Sequence, residues 1–267
     1  MVRRVAFPAI AALLLAALNG CALNLFNFER REAWRGAAEA ACMDQRPFRR
    51  DAHIVEARAI NDHGVCGMEQ PLRVSAMLDG SVVIGPTATL GCPVTLATER
   101  WLAEAVQPAA VARLGSPVVR IHQMSSYACR TRNNAPGAEL SEHAFGNALD
   151  IGAFELADGR VVSVLEDWGR GTQEEKDFLR EAHATACNYF TTVLGPGVAN
   201  HADHFHLDLA HHNAAGTSRY CRPETTVPPP TERPFLNFPM ALAQPDPTTT
   251  SSVDAALDAL IADVLGH

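Results

Sequence analysis

Charge is thin in this chain. Of 267 residues only 19% are Asp, Glu, Lys or Arg, and 22 basic residues stand against 30 acidic ones, for a net charge of -8. There is no Lys/Arg cluster of the kind that tracks a phosphate backbone, which argues against a nucleic-acid partner. There is no internal repeat, so a solenoid or array is excluded. No Cys-x-x-Cys pair is present, which removes thiolate zinc and dithiol redox motifs. The apolar run from Val5 to Leu18 is shorter than the ~20 residues that a membrane-spanning helix needs. It follows Arg3 and Arg4 and leads into small residues before Cys21, the order of a secretory signal.

What is present begins with the cysteines. Leu18, Asn19, Gly20 and Cys21 resemble the bacterial lipoprotein box, with Asn19 where a small residue is usual. That resemblance implies a signal peptide over residues 1–20, cleavage before Cys21, acylation of its thiol and attachment to a membrane. Plain signal cleavage nearby, with Cys21 removed or paired, is the alternative. Seven cysteines stand at 21, 42, 66, 92, 129, 187 and 221, and six remain once Cys21 carries lipid. An even number in an exported chain predicts three disulfides in an oxidising periplasm. Connectivity does not follow from sequence; proximity suggests Cys66 with Cys92 and Cys129 with Cys187.

At this size and 47% hydrophobic content, one core with appended tails is expected. Residues 21–41 read as a lipidated tether running into a short helix, and 42–222 as the catalytic-size domain. Within it, residues 72–78 and 81–85 are strand-like around Asp79 and Gly80, and 95–106 form an amphipathic helix that Pro108 interrupts or restarts. Residues 118–130 alternate as a strand, and the segments 147–156 and 160–165 flank Asp158-Gly159 as a hairpin. The spacing predicts a helix over 172–193, ended by Gly195, Pro196 and Gly197. Residues 223–252 form a Pro/Thr-rich linker, and 253–267 an amphipathic helix that docks on the domain or on a protein partner.

The densest chemistry is HADHFHLD, residues 201–208, expected as a strand. Extended, it turns His204, His206 and Asp208 one way and Phe205, Leu207 and Leu209 the other. A half-buried strand with an ordinary solvated side accounts for that pattern alone. A catalytic zinc needs further ligands, about three in all, with a fourth position left for water or substrate. LSEHAFGNALDIG, residues 140–152, offers His143 and Asp150, with Gly146 to bend the chain between them. His143, Asp150 and His206 are therefore the candidate metal ligands.

Ser141-x-His143-x-x-Gly146-x-Ala148-x-Asp150, followed by Asp203-x-x-His206, resembles a signature of zinc peptidases. These are the D-alanyl-D-alanine carboxypeptidases, the D-Ala-D-Ala dipeptidases and the penicillin-insensitive murein endopeptidases. More closely, SSYACR, then LSEHAFGNALDI, then HADHFHLD, with cysteines at 129 and 187, resemble the bacterial extensin-like C-terminal domain family. The resemblance covers roughly Cys42 to Cys221. It implies an α+β fold: a small antiparallel sheet flanked by helices, stapled by disulfides, with zinc on the sheet.

It also implies roles. His143, Asp150 and His206 would be zinc ligands. Asp203 would be the general base; because a regular strand puts i and i+3 on opposite faces, it belongs where the strand starts or on a bulge. His204 would orient or stabilise the developing oxyanion, and His201 would share the proton work. Arg130 would neutralise charge on substrate or intermediate, with Arg132 as its competitor. Ser141 fixes the turn or touches substrate, and His211 and His212 face solvent. No serine or cysteine nucleophile is required, so β-lactams should not acylate the protein. The implied activity is hydrolysis of peptide bonds in peptidoglycan stem peptides or cross-links, through a zinc-activated water. The rival is a cell-wall-binding lipoprotein that keeps the fold without catalysis.

Overall fold

A computed structural model of the chain describes residues 31–45, 48 and 52–226. The expected signal peptide, Cys21, most of the Pro/Thr-rich linker and the C-terminal helix lie outside these residues. Along the chain come helix α1 (Ala33–Asp44), strands β1 (Ile54–Glu56), β2 (Ile60–Asn61) and β3 (Gly67–Met68), and the hairpin β4 (Leu72–Met77) and β5 (Val82–Leu90). Helices α2 (Cys92–Trp101) and α3 (Gln107–Leu114) follow, joined by a π-helical turn, Leu102–Val106. Then come β6 (Val118–Ser125), β7 (Ala148–Leu156), β8 (Val161–Ser163), α4 (Val164–Arg170) and α5 (Gln173–Ala186). β9 (Thr192–Leu194), β10 (Phe205–Asp208) and β11 (Tyr220–Arg222) close the domain. No helix among the described residues is long and apolar enough to cross a membrane.

The sheet is neither small nor wholly antiparallel. It has nine strands, in the order β1-β4-β5-β6-β7-β10-β9-β11 with β8 beside β7, and β5–β6 and β9–β11 are parallel pairs. The reason lies between β5 and β6. Parallel neighbours require the chain to return to the same end of the sheet, and α2, the π turn and α3 supply that crossover. Pro108 restarts the helix rather than ending it. Its ring would clash with the carbonyl four residues back, and the wider π turn immediately before it relieves that clash.

Helix α5 starts where Thr172 and Glu175 cap each other's backbone N–H, and stops at Cys187, earlier than the expected residue 193. The β-branched run beyond it pairs as β9 instead. Strand β10 likewise spans only Phe205–Asp208, so His201, Asp203 and His204 sit on the approach to the strand. The Asp158-Gly159 hairpin forms as expected, Leu156 N–H donating to the Arg160 carbonyl at 2.8 Å.

One face of β7 and β10 builds the core. Trp101 meets Phe154 and Phe190 edge-on, Phe154 meets Phe178, and the Trp101 indole N–H donates to the Ala182 carbonyl at 3.1 Å. Phe205 and Leu207 point into this cluster and are fully buried, which leaves His206 and Asp208 on the opposite face.

The three disulfides are Cys42–Cys92, Cys66–Cys129 and Cys187–Cys221, so the pairs suggested by proximity, Cys66–Cys92 and Cys129–Cys187, do not form. Cys92 opens α2 against α1, Cys66 reaches the segment after β6, and Cys187 ends α5 beside β11. Two of the three bridges skip an intervening cysteine, and only Cys187–Cys221 joins consecutive ones. Helix α1 runs across the expected boundary at residue 42 and buries Arg35 and Glu39 against the domain.

Candidate metal centre

β10 pairs with β7 so that His206 lies directly opposite Asp150, while Phe205 faces Ile151 and Leu207 faces Leu149. The alternation that sinks the aromatic and aliphatic residues into the core therefore projects the imidazole and the carboxylate together from the other face. His143 arrives from a 3₁₀ turn, Glu142–Phe145, just before β7. Ser141 caps that turn, its hydroxyl accepting from the His143 N–H. Gly146 ends the turn at φ 60°, where a Cβ would lie 1.9 Å from Met68 Sδ. Only glycine fits there.

The three side chains converge. His143 Nε2 lies 3.2 Å from His206 Nδ1 and 3.1 Å from Asp150 Oδ2, and His206 Nδ1 lies 2.8 Å from Asp150 Oδ1. Among the described residues, these form the group of metal-ligating side chains whose donor atoms all lie within 4.8 Å of one another. The outward nitrogens are already committed. His143 Nδ1 donates to the Ser126 carbonyl at 2.6 Å, and His206 Nε2 donates to Asp208 Oδ2 at 2.8 Å. With the protons held on the far nitrogens, His143 Nε2 and His206 Nδ1 would offer lone pairs to an ion at one point, in place of the protons they share with Asp150 without one.

That donor set fits zinc. Two imidazoles and a carboxylate are a usual catalytic set, and tetrahedral bonds of ~2.0–2.1 Å place donors roughly 3.3 Å apart. Facing lone pairs at such distances call for a cation or a proton between them. The electrostatics agree. Burial opposes ionisation of Asp150, yet hydrogen bonds from His143 and His206 hold its carboxyl well below the usual range. Burial also opposes charge on His206, but Asp150 and Asp208 on either side push its pKa up to about 10. The pair of carboxylates favours positive charge at this point.

A cleft of ≈ 500 Å³ opens over the group, lined by Arg130, Ser141, Asn200, His201, His204 and His212 among others. His204 presents Nε2 to it, 3.8 Å from Asp150 Oδ1, while its Nδ1 donates to Asp203 at 2.7 Å. Asp203 is not among the residues lining the cleft; it sits behind His204, two residues before β10. His201 is buried, donates Nδ1–H to the Ala199 carbonyl at 2.7 Å, and has its pKa lowered chiefly by that burial. Arg130 Nη2 stands 3.6 Å from Asp150 Oδ2, whereas Arg132 pairs with Glu139 at 3.1 Å on the surface. Both arginines line the cleft, and Arg130 is the one beside Asp150.

His211 and His212 are exposed, as expected, and each still has a partner. His211 stacks on Trp34 with ring centroids 3.7 Å apart, and His212 Nε2 lies 2.9 Å from the Thr192 hydroxyl. Asp208, which holds His206, is the residue of this group that the sequence reading placed on the polar face without giving it a role. Its signal was the i, i+2 spacing from His206 on one strand face.

The chain matches the extensin-like protein C-terminus family over residues 40–222. It belongs to that family. The match spans both halves of the site, from the His143 turn to Asp208, and all three disulfides. It starts inside α1, so that Trp34 and Arg35 precede it. No curated protein and no solved structure matches the chain.

Proposed function

We propose that this extensin-like protein is an exported zinc metallopeptidase acting on peptidoglycan stem peptides or cross-links. One observation carries the reading: His143, Asp150 and His206 turn their donor atoms to one point at 2.8–3.2 Å, each histidine with its other nitrogen held. These three residues would hold the ion. Bound there, zinc supplies a Lewis acid for a scissile carbonyl and lowers the pKa of water toward about 7.

The chain's own residues do the rest. His201, neutral and with Nδ1–H held by Ala199, keeps Nε2 as a proton acceptor at the cleft. His204 presents Nε2 to charge developing on the carbonyl oxygen, and Asp203, bonded to its Nδ1, fixes the ring. On this reading His201 is the base, and Asp203 is a positioning residue acting through His204. Arg130, half-buried beside Asp150, neutralises the anionic intermediate. The expected export signal and lipid-bearing Cys21 put the cell wall within reach, and the open, polar cleft suits a short peptide better than a compact apolar ligand.

The test is digestion of purified sacculi with the zinc-loaded protein, followed by mass spectrometry of the muropeptides. New stem-peptide termini that disappear with chelator and in His206→Ala are expected. Zinc-loaded protein that pellets with sacculi yet cuts neither D,D nor L,D linkages would instead favour the wall-binding lipoprotein.

A further inference from the structure

Helix α1 reaches the 3₁₀ turn that carries His143 through a buried cation. Arg35 Nη1 and Nη2 donate to Glu142 Oε2 and Oε1 at 2.6 and 2.8 Å, a bidentate pair spanning 107 residues of sequence. Both side chains are almost wholly buried, at 7% exposure each. Asn147 Nδ2 donates to the same Glu142 Oε2 at 2.7 Å, and Arg35 Nε donates to Glu32 at 2.8 Å. The guanidinium carbon lies 3.9 Å from the centre of the Phe145 ring and 4.4 Å from that of Trp34.

Glu142, Phe145 and Asn147 bracket His143 and lead directly into the strand that carries Asp150. One guanidinium therefore grips both ends of the 3₁₀ turn, by hydrogen bonds at Glu142 and by its flat face at Phe145. Packing does not otherwise fill this side of the turn. A cavity of ≈ 220 Å³ lies there, lined by Trp34, Phe145, Asn147 and Leu209. Arg35 keeps its charge firmly: burial works against it, but Glu142 and Glu32 raise its pKa above the ordinary arginine value. Arg35 also precedes the segment that defines the family.

We infer that Arg35, through Glu142, is a positioning residue for the metal centre: helix α1 sets the placement of His143 relative to Asp150 and His206. This rests on the metal reading above. The physical reason is economy of support. A 3₁₀ turn has poor internal hydrogen bonding and holds its shape through what touches it. A bidentate buried pair fixes both distance and plane, which a lysine ammonium does not.

The experiment compares zinc affinity, by competition with a chelating dye, and the visible absorption of the cobalt-substituted protein. The samples are full-length wild type, Arg35→Lys, Arg35→Met and Arg35→Met/Glu142→Gln. The double variant removes both charges together, so no unpaired carboxylate is left buried if the single change fails to fold. Arg113→Met serves as the control, because Arg113 is an equally buried arginine, bonded to Glu181 at 2.8 Å, between helices α3 and α5. Expected is a loss of zinc affinity on the order of 10- to 100-fold in both methionine variants, the range for outer partners of metal ligands. The cobalt spectrum should shift, with partial recovery in Arg35→Lys and no change in Arg113→Met at matched loss of stability. Wild-type affinity and an unchanged cobalt spectrum in the Arg35 variants would overturn the inference while leaving the metal reading intact. Wild type that takes up no zinc would overturn both.

Discussion

Asp208 holds the far nitrogen of His206 at 2.8 Å, and Asp150 meets the near one at the same distance. An imidazole between two carboxylates has its ring plane fixed before any ligand arrives. Thr192 and the Ala210 N–H hold Asp208 in turn, so the support runs from β9 through β10 to the site.

Asp208→Asn keeps the shape and loses the charge-assisted hydrogen bond. Zinc affinity should fall by about 10- to 100-fold while the fold persists. Chelator competition on the folded variant measures it, and affinity equal to wild type would remove Asp208 from the site.

Asp203 and His204 should behave as one unit. Asp203→Ala should retain zinc and lose activity, and the double variant with His204→Ala should lose no more than His204→Ala alone. His201→Ala should cost on the order of 10² to 10⁴ in turnover, the range for one positioned acid or base. Additive losses at 203 and 204, with His201→Ala near wild type, would return the base role to Asp203.

His183 gives the acid limb of stability. It is buried against Trp168 and Phe205, its Nε2 donates to the Arg222 carbonyl at 3.2 Å, and its Nδ1 has no hydrogen-bond partner among the described residues. Burial lowers its pKa to about 4. The unfolded chain, titrating near 6.5, binds the proton first, so stability is full above ~6.5 and falls with pH until about 4. The loss should reach roughly 3 kcal/mol. Denaturant unfolding of wild type and His183→Leu between these limits should show a shallower slope in the variant, and parallel slopes would discount His183.

Non-reducing peptide mapping should recover Cys42–Cys92, Cys66–Cys129 and Cys187–Cys221. Replacing Cys42 and Cys92 together by serine should cost ~2–5 kcal/mol, because the bridge constrains a long loop in the unfolded chain. Recovery of Cys66–Cys92 or Cys129–Cys187 would contradict the fold around the site.

The site was more legible in the sequence than the sheet that carries it. His143, Asp150 and His206 are named by residue type and spacing, and period-two alternation places Phe205 and His206 on opposite faces. The parallel β5–β6 pairing was hidden because strands on either side of a helix read alike whichever way they return. The disulfides were hidden because loop closure costs little more for distant partners than for near ones. Arg35 and Glu142 lie 107 residues apart, and no local pattern joins them. The base role of Asp203 was implied by the resemblance alone; its hydrogen bond with His204 depends on backbone just outside the strand, which no local pattern shows.

The central claim is that His143, Asp150 and His206 form one metal site. The direct measurement is metal content of the purified, exchange-dialysed mature protein and its three single alanine variants at these positions, by inductively coupled plasma mass spectrometry. About one zinc per chain in wild type, with most of it lost in each variant, is the predicted result. Wild-type protein without zinc, or three variants that all keep the wild-type complement, would contradict it.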